Sequence, residues 1–517
     1  MLFRLYKGLC VLTICLPAAL FAQGFVENGL LFSRTQPGGS ARMQAMGGAQ
    51  VALGGDYSSA LSNPAGLGMF NRSEFTLTPA LSMNDIHADH LATNTFNSAQ
   101  RFTIPGASYV VHKPGSDSKF PGSSLGITVT RINSFNNDFS YRGTDNLSSI
   151  TDWFIERATG FAPEQLPAPH NNIPLLNFDE IIGQAYLTFL TNTFADDPNN
   201  TSPVMPDDYI HYYSELENLP GETRTLNRSG NVKTRGAQYQ WSLAYGGNYQ
   251  DKLFYGANFS IHTLRYEFDR LYREDSFSFS EDPGYNPLDY LELSERISIE
   301  GSGVSFTLGL IYRPMDNLQM GLSWATPAWY QLTDAYSSSI TARWNDTRGT
   351  ITEESARPLV SEYGFRTPAR FSMGAAWFIG NHGFIAADLE WLNFGRARYR
   401  SQVAGIDFTP ENEGIRNNFK NVMNYRMGAE FRKDIFRLRA GFNYQANPLI
   451  STLANYRIIT YSAGAGIRLK TFYADLAVLR NSDNSRYSPY VFSDGTGPAV
   501  ELSRAITTIM TTIGFTF

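Results

Sequence analysis

Cysteine is almost absent from this chain: of 517 residues only Cys10 and Cys15 carry a thiol, both close to the N-terminus. No disulfide framework can therefore staple the body of the protein. Charge is scarce too, at 17% of residues, against roughly 25% in an ordinary soluble domain. What charge there is does not favour bases. With 42 Lys+Arg against 48 Asp+Glu the formal net charge is −6, so the chain has no electrostatic reason to approach nucleic acid. Beyond the first twenty-odd residues no run approaches the ~20 consecutive apolar residues of a spanning helix, which excludes a helical membrane protein. Neither His-Glu-x-x-His nor a phosphate loop occurs, and no catalytic constellation stands in their place. A non-enzyme without a cofactor is expected.

What is present begins with the N-terminus. Arg4 and Lys7 precede an apolar run from Leu9 to Phe21, and Ala22 closes the segment before Gln23-Gly24. This is the pattern of a secretory signal peptide over residues 1–22. Cys15 raises a lipoprotein reading, against which Ile14 is a poor small-residue site and the peptide runs on. Without residues 1–22, which carry two bases and no acids, the formal charge falls from −6 to −8. The remainder is exported, cysteine-free, acidic and rich in Tyr (28) and Phe (36). That combination suits a bacterial outer-membrane barrel.

Spanning strands of such a barrel alternate apolar with small or polar residues over about ten positions. Leu253, Tyr255, Ala257, Phe259 and Ile261 share one face, while Gly256, Asn258, Ser260 and His262 share the other. Ile509, Thr511, Ile513, Phe515 and Phe517 repeat the pattern at the C-terminus. Twelve similar stretches lie near 74–83, 101–112, 123–134, 236–249, 301–313, 318–330, 366–379, 383–395, 419–432, 435–446, 458–469 and 472–482. Short links such as Gln250-Asp251-Lys252 and Lys433-Asp434 alternate with long segments at 84–100, 135–235, 262–300, 331–365, 396–418, 447–457 and 483–503. The expected fold is all-β, a 14-stranded antiparallel transmembrane barrel with both termini in the periplasm; two further strands within 331–365 would make sixteen. Barrel residues run from 73 to 517, with an extracellular insertion at 135–234 carrying 14 acids and 5 bases. In that insertion Phe178, Ile181, Ile182, Ala185, Tyr186 and Phe189 mark one face of an amphipathic helix, which either lines an entrance groove or packs on the loops.

Residues 23–72 differ in kind: ten glycines and only five charged residues in fifty positions. Glycine at this density permits close backbone packing and positive φ, both of which a plug inside a barrel needs; a loose periplasmic leader is the alternative. Ala45-Met46-Gly47-Gly48-Ala49, the Gly54-Gly55-Asp56 step and Asn63-Pro64-Ala65-Gly66-Leu67 before a first strand resemble the FadL/TodX family. The resemblance is specific over residues 38–82 and architectural elsewhere. It implies a fourteen-strand barrel, a hatch bearing Asn63-Pro64-Ala65, and a C-terminal aromatic, Phe517, read by the barrel-assembly machinery. It also implies passive transport of long-chain fatty acids or other hydrophobic molecules, with ligand binding in the lumen, hatch movement and lateral exit through the wall into the outer membrane.

Further candidates follow. Pro105-Gly106 interrupts the second strand, since proline removes a ladder donor and glycine permits a bulge; it marks either a wall gap or a curvature bulge. Parity turns Asp388, Glu390, Arg426, Glu430, Arg468, Asp475 and His262 into the lumen. Phe70, Arg426 and Arg468 are candidate ligand contacts, although mixed buried charges ordinarily pair with one another. Asp85, His87, Asp89 and His90 have metal-ligand chemistry, set against a solvated polar loop. No metal is required. Partners expected are a hydrophobic ligand, outer-membrane lipid and the assembly machinery, around a monomer. A second function remains open: a non-transporting barrel that docks or shuttles secreted proteins, as a similar barrel does in type IX secretion.

Overall fold

The computed structural model describes residues 22–166, 180–196, 210–217, 222–401, 407–451 and 455–517. The expected signal peptide up to residue 21, with both cysteines, lies outside them. Fourteen antiparallel staves close into a barrel: β1 Glu74–His90, β2 Thr93–Asp117, β3 Phe120–Ser134 continued by Asn137–Asp145, β4 Arg224–Tyr249, β5 Leu253–Phe279, β6 Leu288–Met315, and β7 Leu318–Ala325 continued by Trp329–Trp344. Then come β8 (Thr350–Glu354, Leu359–Arg366 and Arg370–Phe378), β9 Gly383–Asn393 with an outer piece Arg398–Arg400, β10 Asn421–Lys433, β11 Phe436–Gln445, β12 Ile458–Arg468, β13 Phe472–Tyr487 and β14 Val500–Thr516. Each stave pairs with the next, and β14 returns to β1 from Glu74↔Thr516 to Asp89↔Glu501.

Closure gives every stave a neighbour on both sides, the condition for β-structure to cross a bilayer. Outward positions form an apolar band that includes Leu243, Phe259, Phe306, Leu308, Trp324, Trp377, Trp391 and Met427, all exposed. Inward positions on the same staves are small or polar. A closed barrel with such an exterior belongs in a bacterial outer membrane.

The staves outrun the sequence expectation at their outer ends. Residues 84–100, expected as a loop, form a hairpin turning at Leu91 and Ala92, both at positive φ (47° and 63°). The expected loop 262–300 is mostly wall, with β5–β6 paired out to Asp275↔Tyr290. Residues 331–365 hold no additional pair of staves; they prolong β7 and β8 outward, so the count stays at fourteen. Likewise β3 and β4 pair from Asn137↔Thr234 to Asp145↔Leu226, leaving 146–223 as the excursion proper.

Inside the lumen lie α1 Ala22–Ser33, α2 Ala41–Ala45, α3 Ser59–Ser62 and a 3-10 turn Pro64–Met69. Over the outer mouth sit α4 Ile150–Ala158 and α5 Glu180–Leu187, with α6 Thr409–Asn418 beside the wall. Among the described residues no helix is long and apolar enough to cross a membrane.

Candidate functional site

The N-terminal segment is seated by backbone-to-backbone contact. Asn63 is fully buried; its Nδ2 donates to the carbonyls of Val51 (2.6 Å) and Leu310 (3.1 Å), and its Oδ1 accepts from Ala65 N (3.2 Å). One side chain thus caps the Pro64 turn and ties it to β6. The approach requires Gly309, where a Cβ would stand 1.9 Å from Asn63 Oδ1. Opposite, Gly441 of β11 admits Gly47, whose amide donates to Ser462 Oγ (3.0 Å). Gly47 and Gly48 take φ of 67° and 78°. Asp56 holds Ser40 Oγ (2.7 Å) and the Ser58 amide and hydroxyl (3.0 and 2.7 Å), while Gly55 N donates to Gly66 O (3.1 Å). Gly54 packs against Gly66.

Several charges in the lumen are paired with one another. Glu430 receives Arg439 (2.7 Å), Arg432 (2.7 Å) and Arg42 from the plug (3.3 Å), and Arg439 also reaches Asp475 (2.6 Å). Asp388 accepts the amides of Gln50 (2.6 Å) and Val51 (3.0 Å). Arg426 is bound to Glu390 at 2.9 Å, so it is not a vacant anion receptor. Arg468, half-buried near the periplasmic turn, lies over the Tyr473 ring at 4.5 Å. Phe70 packs under the plug with Tyr57, Leu67, Val110 and Ala244. His262 is buried against Ser305 (2.7 Å). The ligand contacts proposed from sequence are therefore dispersed rather than brought to one place.

Between β2 and β3 the wall is interrupted. Their ladder stops at Gly106↔Thr130; β2 residues from Thr93 to Thr103 pair only with β1, and Ile104-Pro105 bulge out of that ladder too. Further out, Asn97 Oδ1 accepts the Ser140 amide (3.0 Å), bridging the two staves again. The plug lies behind the interruption: Gln36 N donates to Ile132 O (2.8 Å), Asn133 Nδ2 donates to Leu31 O (2.9 Å), and Tyr57 sits so close that a Cβ on Gly106 would lie 2.3 Å from its hydroxyl.

Around α1 is a packed aromatic cluster that sequence reasoning missed. Phe25 of α1 has its ring 5.4, 5.2 and 5.4 Å from those of Tyr363, Tyr399 and Phe408. Phe32 meets Phe135, Tyr266 and Phe365 edge-on. Tyr363, Phe365 and Tyr399 fall in segments read from sequence as loops, and their burial shows only once the outer ends of β8 and β9 are in register.

Compared with solved structures, the chain is similar to a Pseudomonas aeruginosa FadL homologue at 12% identity, over 93% of this chain and 99% of that one, with a TM-score of 0.55. The fold is that of a FadL-type barrel. The Pseudomonas putida toluene transporter TodX (14% identity, 92% and 98% coverage) and the Ralstonia pickettii toluene transporter TbuX (15%, 93% and 99%) both score 0.48. No protein-family model matches the sequence, and neither does any curated protein.

This FadL-type barrel carries a packed cap on its outer mouth. Ile181, Ile182 and Ala185 of α5 are buried with Phe154 of α4, Tyr141, Leu226, Tyr272, Leu291, Ile340, Trp344 and Tyr490. The apolar helix face thus packs on the outer ends of the staves, with Phe154 and Tyr490 of the cap beside it. The helix ends at Leu187, leaving Phe189 exposed at positive φ (61°); Phe178 lies outside the described residues. Arg228, fully buried, pairs with Asp145 and donates to Tyr272 Oη (2.8 Å), Tyr490 Oη (2.8 Å) and Ser148 O (2.8 Å).

Asp85, His87, Asp89 and His90 do not converge. His90 faces inward to Ala499 O (2.8 Å), His87 lies on the Phe96 ring, and Asp85 and Asp89 hold Ser98 and Asn94. Gly122-Ser123-Ser124-Leu125-Gly126 has the spacing of a hydrolase elbow but runs within β3; Ser124 Oγ meets His112 Nδ1 at 3.2 Å in extended backbone, without the strand-to-helix turn that an elbow requires. Phe517 closes the barrel seam, its amide on Ser73 O (3.0 Å) and its ring stacked on Tyr109.

Proposed function

We propose that the protein is a passive outer-membrane transporter of hydrophobic small molecules, long-chain fatty acids or related apolar compounds. The ligand takes the place of Phe25 and Phe32 in the aromatic cluster, and leaves sideways between β2 and β3 when the hatch segment behind that gap moves. The interrupted ladder above Gly106, backed by Gln36 and Tyr57, is the observation that supports this reading most. An apolar solute gains nothing from an aqueous channel, whereas apolar surface passed from protein to lipid never has to meet water. The assembly machinery reads Phe517, residues 1–22 direct export, and the barrel works as a monomer.

The cap supports a second reading. An ordered loop surface over the mouth, with an acidic excess across 135–234, fits a docking or shuttle subunit for secreted proteins. Native mass spectrometry with lipid extraction separates the two. Fatty acid or another apolar molecule that co-purifies, and diminishes in an Asn63→Ala, Pro64→Ala variant, supports transport. An empty lumen in both, with a protein retained instead, refutes it in favour of docking.

A further inference from the structure

The outer edge of the apolar band carries a groove that the transport path does not use. On β5 the outward apolar series ends at Ile261 and gives way to Thr263 and the exposed Arg265; on β6 it ends at Val304 and gives way to Ser302 and Glu300. At that level the register lines up Ile261, Val304, Trp329, Arg366 and Arg398 across five staves, with Thr263, Ser302, Gln331, Gly364 and Arg400 in the next row outward. The missing side chain at Gly364 leaves a depression of about 620 Å³ beside Trp329, walled by Phe259, Ile261 and Val304 and rimmed by Arg400. That volume falls within the roughly 300–1,000 Å³ of small-molecule sites.

The charge at its rim is unbalanced. The side chains of Arg400 at the rim and of Arg366, beside Trp329 in the register, make no ion pair or hydrogen bond among the described residues, and Arg366 Nε is buried without a partner. Arg366 stands directly opposite Arg398, which donates to the carbonyls of Gly395 (2.7 Å) and Ala397 (2.6 Å) rather than to an acid. Like charges directly opposite are unfavourable across a ladder. The nearest carboxylates by register, Glu300 and Glu362, sit one row further out, paired through Thr333. On an acidic protein this is a local excess of guanidinium at headgroup depth, next to an apolar slot facing the hydrocarbon.

We infer that this groove binds a phosphate-bearing lipid of the outer leaflet, with an acyl chain against Trp329 and Gly364 and the phosphate on Arg366 and Arg400. Guanidinium matches phosphate through paired hydrogen bonds, and aromatic residues at the interface seat the chain–headgroup junction.

The test is native mass spectrometry of delipidated full-length protein titrated with bisphosphorylated lipid A, its dephosphorylated form and phosphatidylethanolamine. Bisphosphorylated lipid A binds most tightly, and Arg366→Gln or Arg400→Gln weakens it about tenfold each, the size of a lost charge-assisted hydrogen bond. Gly364→Leu, whose Cβ would meet nothing closer than 3.6 Å, fills the slot and weakens all acylated lipids. Arg265→Gln, an outward arginine already held by Glu267, changes nothing. Equal binding of phosphorylated and dephosphorylated lipid, or arginine variants that bind as the wild type does, overturns the inference. So does displacement by millimolar inorganic phosphate, which would assign the arginines to a free anion. Heat-modifiable electrophoretic mobility confirms that each variant is a folded barrel.

Discussion

Gly309→Ala should unseat the hatch without disturbing the barrel. The added Cβ would lie 1.9 Å from Asn63 Oδ1, 3.0 Å from Asn63 Cγ and 2.9 Å from Pro64 Cδ. Asn63 cannot swing aside freely, because its amide is committed to Val51 O and Leu310 O. Either those bonds are given up, at about 0.5–1.5 kcal/mol each, or the overlap is absorbed as overpacking, at about 1–3 kcal/mol. The seat therefore loses about 1–3 kcal/mol, which multiplies the displaced population by roughly 5- to 150-fold. Hydrogen exchange on residues 51–69 reads this directly, as loss of protection confined to the hatch while β6 amides stay protected. Gly126→Ala is the matched control: it also faces the hatch from a strand, but its Cβ would meet Leu67 at an ordinary 3.5 Å. If the two variants exchange alike, close backbone approach at Gly309 is not what holds the hatch.

Tyr57→Ala, which empties a fully buried site behind Gly106, should cost about 3–5 kcal/mol and raise uptake of a labelled fatty acid by proteoliposomes; Tyr57→Phe, losing only the bond to Thr78, should cost about 1 kcal/mol and leave uptake near wild type. Glu430→Gln strips the shared partner of Arg42, Arg432 and Arg439, and should destabilise the barrel by about 3–5 kcal/mol in urea unfolding. Arg228→Met should expose residues 146–223 to limited proteolysis while β1–β14 remain resistant, because its partners Asp145, Tyr272 and Tyr490 join the cap rather than the membrane band.

The membrane part of each stave was legible because lipid is a uniform solvent. Every outward residue from Leu253 to Ile261 must be apolar or small, which imposes the period of two. Above the membrane that demand ends. From Thr263 outward β5 shows water Arg265, Glu267 and Asp269, and alternation between polar and half-polar faces carries no hydrophobic signal, although the ladder continues to Asp275. Turn chemistry failed for a different reason at Leu91-Ala92, where tertiary pairing imposes positive φ on residues that do not favour it. The hatch was readable from its own glycines. Its seats at Gly309, Gly428 and Gly441 were not, since a glycine within a strand becomes informative only when the register shows which backbone it faces.

The interruption between β2 and β3 has an energetic consequence that ties wall to hatch. An open strand edge in hydrocarbon leaves backbone groups unpaired, at several kcal/mol for each one. Here the edge carbonyl of Ile132 is satisfied by Gln36, and the side chains of Asn97 and Asn133 bridge to Ser140 N and Leu31 O. The N-terminal segment thus supplies a strand partner to the open edge of β3. If it withdraws, the Ile132 carbonyl must find water or ligand, so the displaced state is costly in an empty barrel and cheaper when something fills the space. On the proposed transport reading, occupancy and opening are then coupled through the same few hydrogen bonds, and a Gln36→Pro substitution, which deletes the donor, should raise the resting permeability of the wall and flatten its dependence on ligand concentration in the proteoliposome assay. Unchanged permeability would place the gate elsewhere.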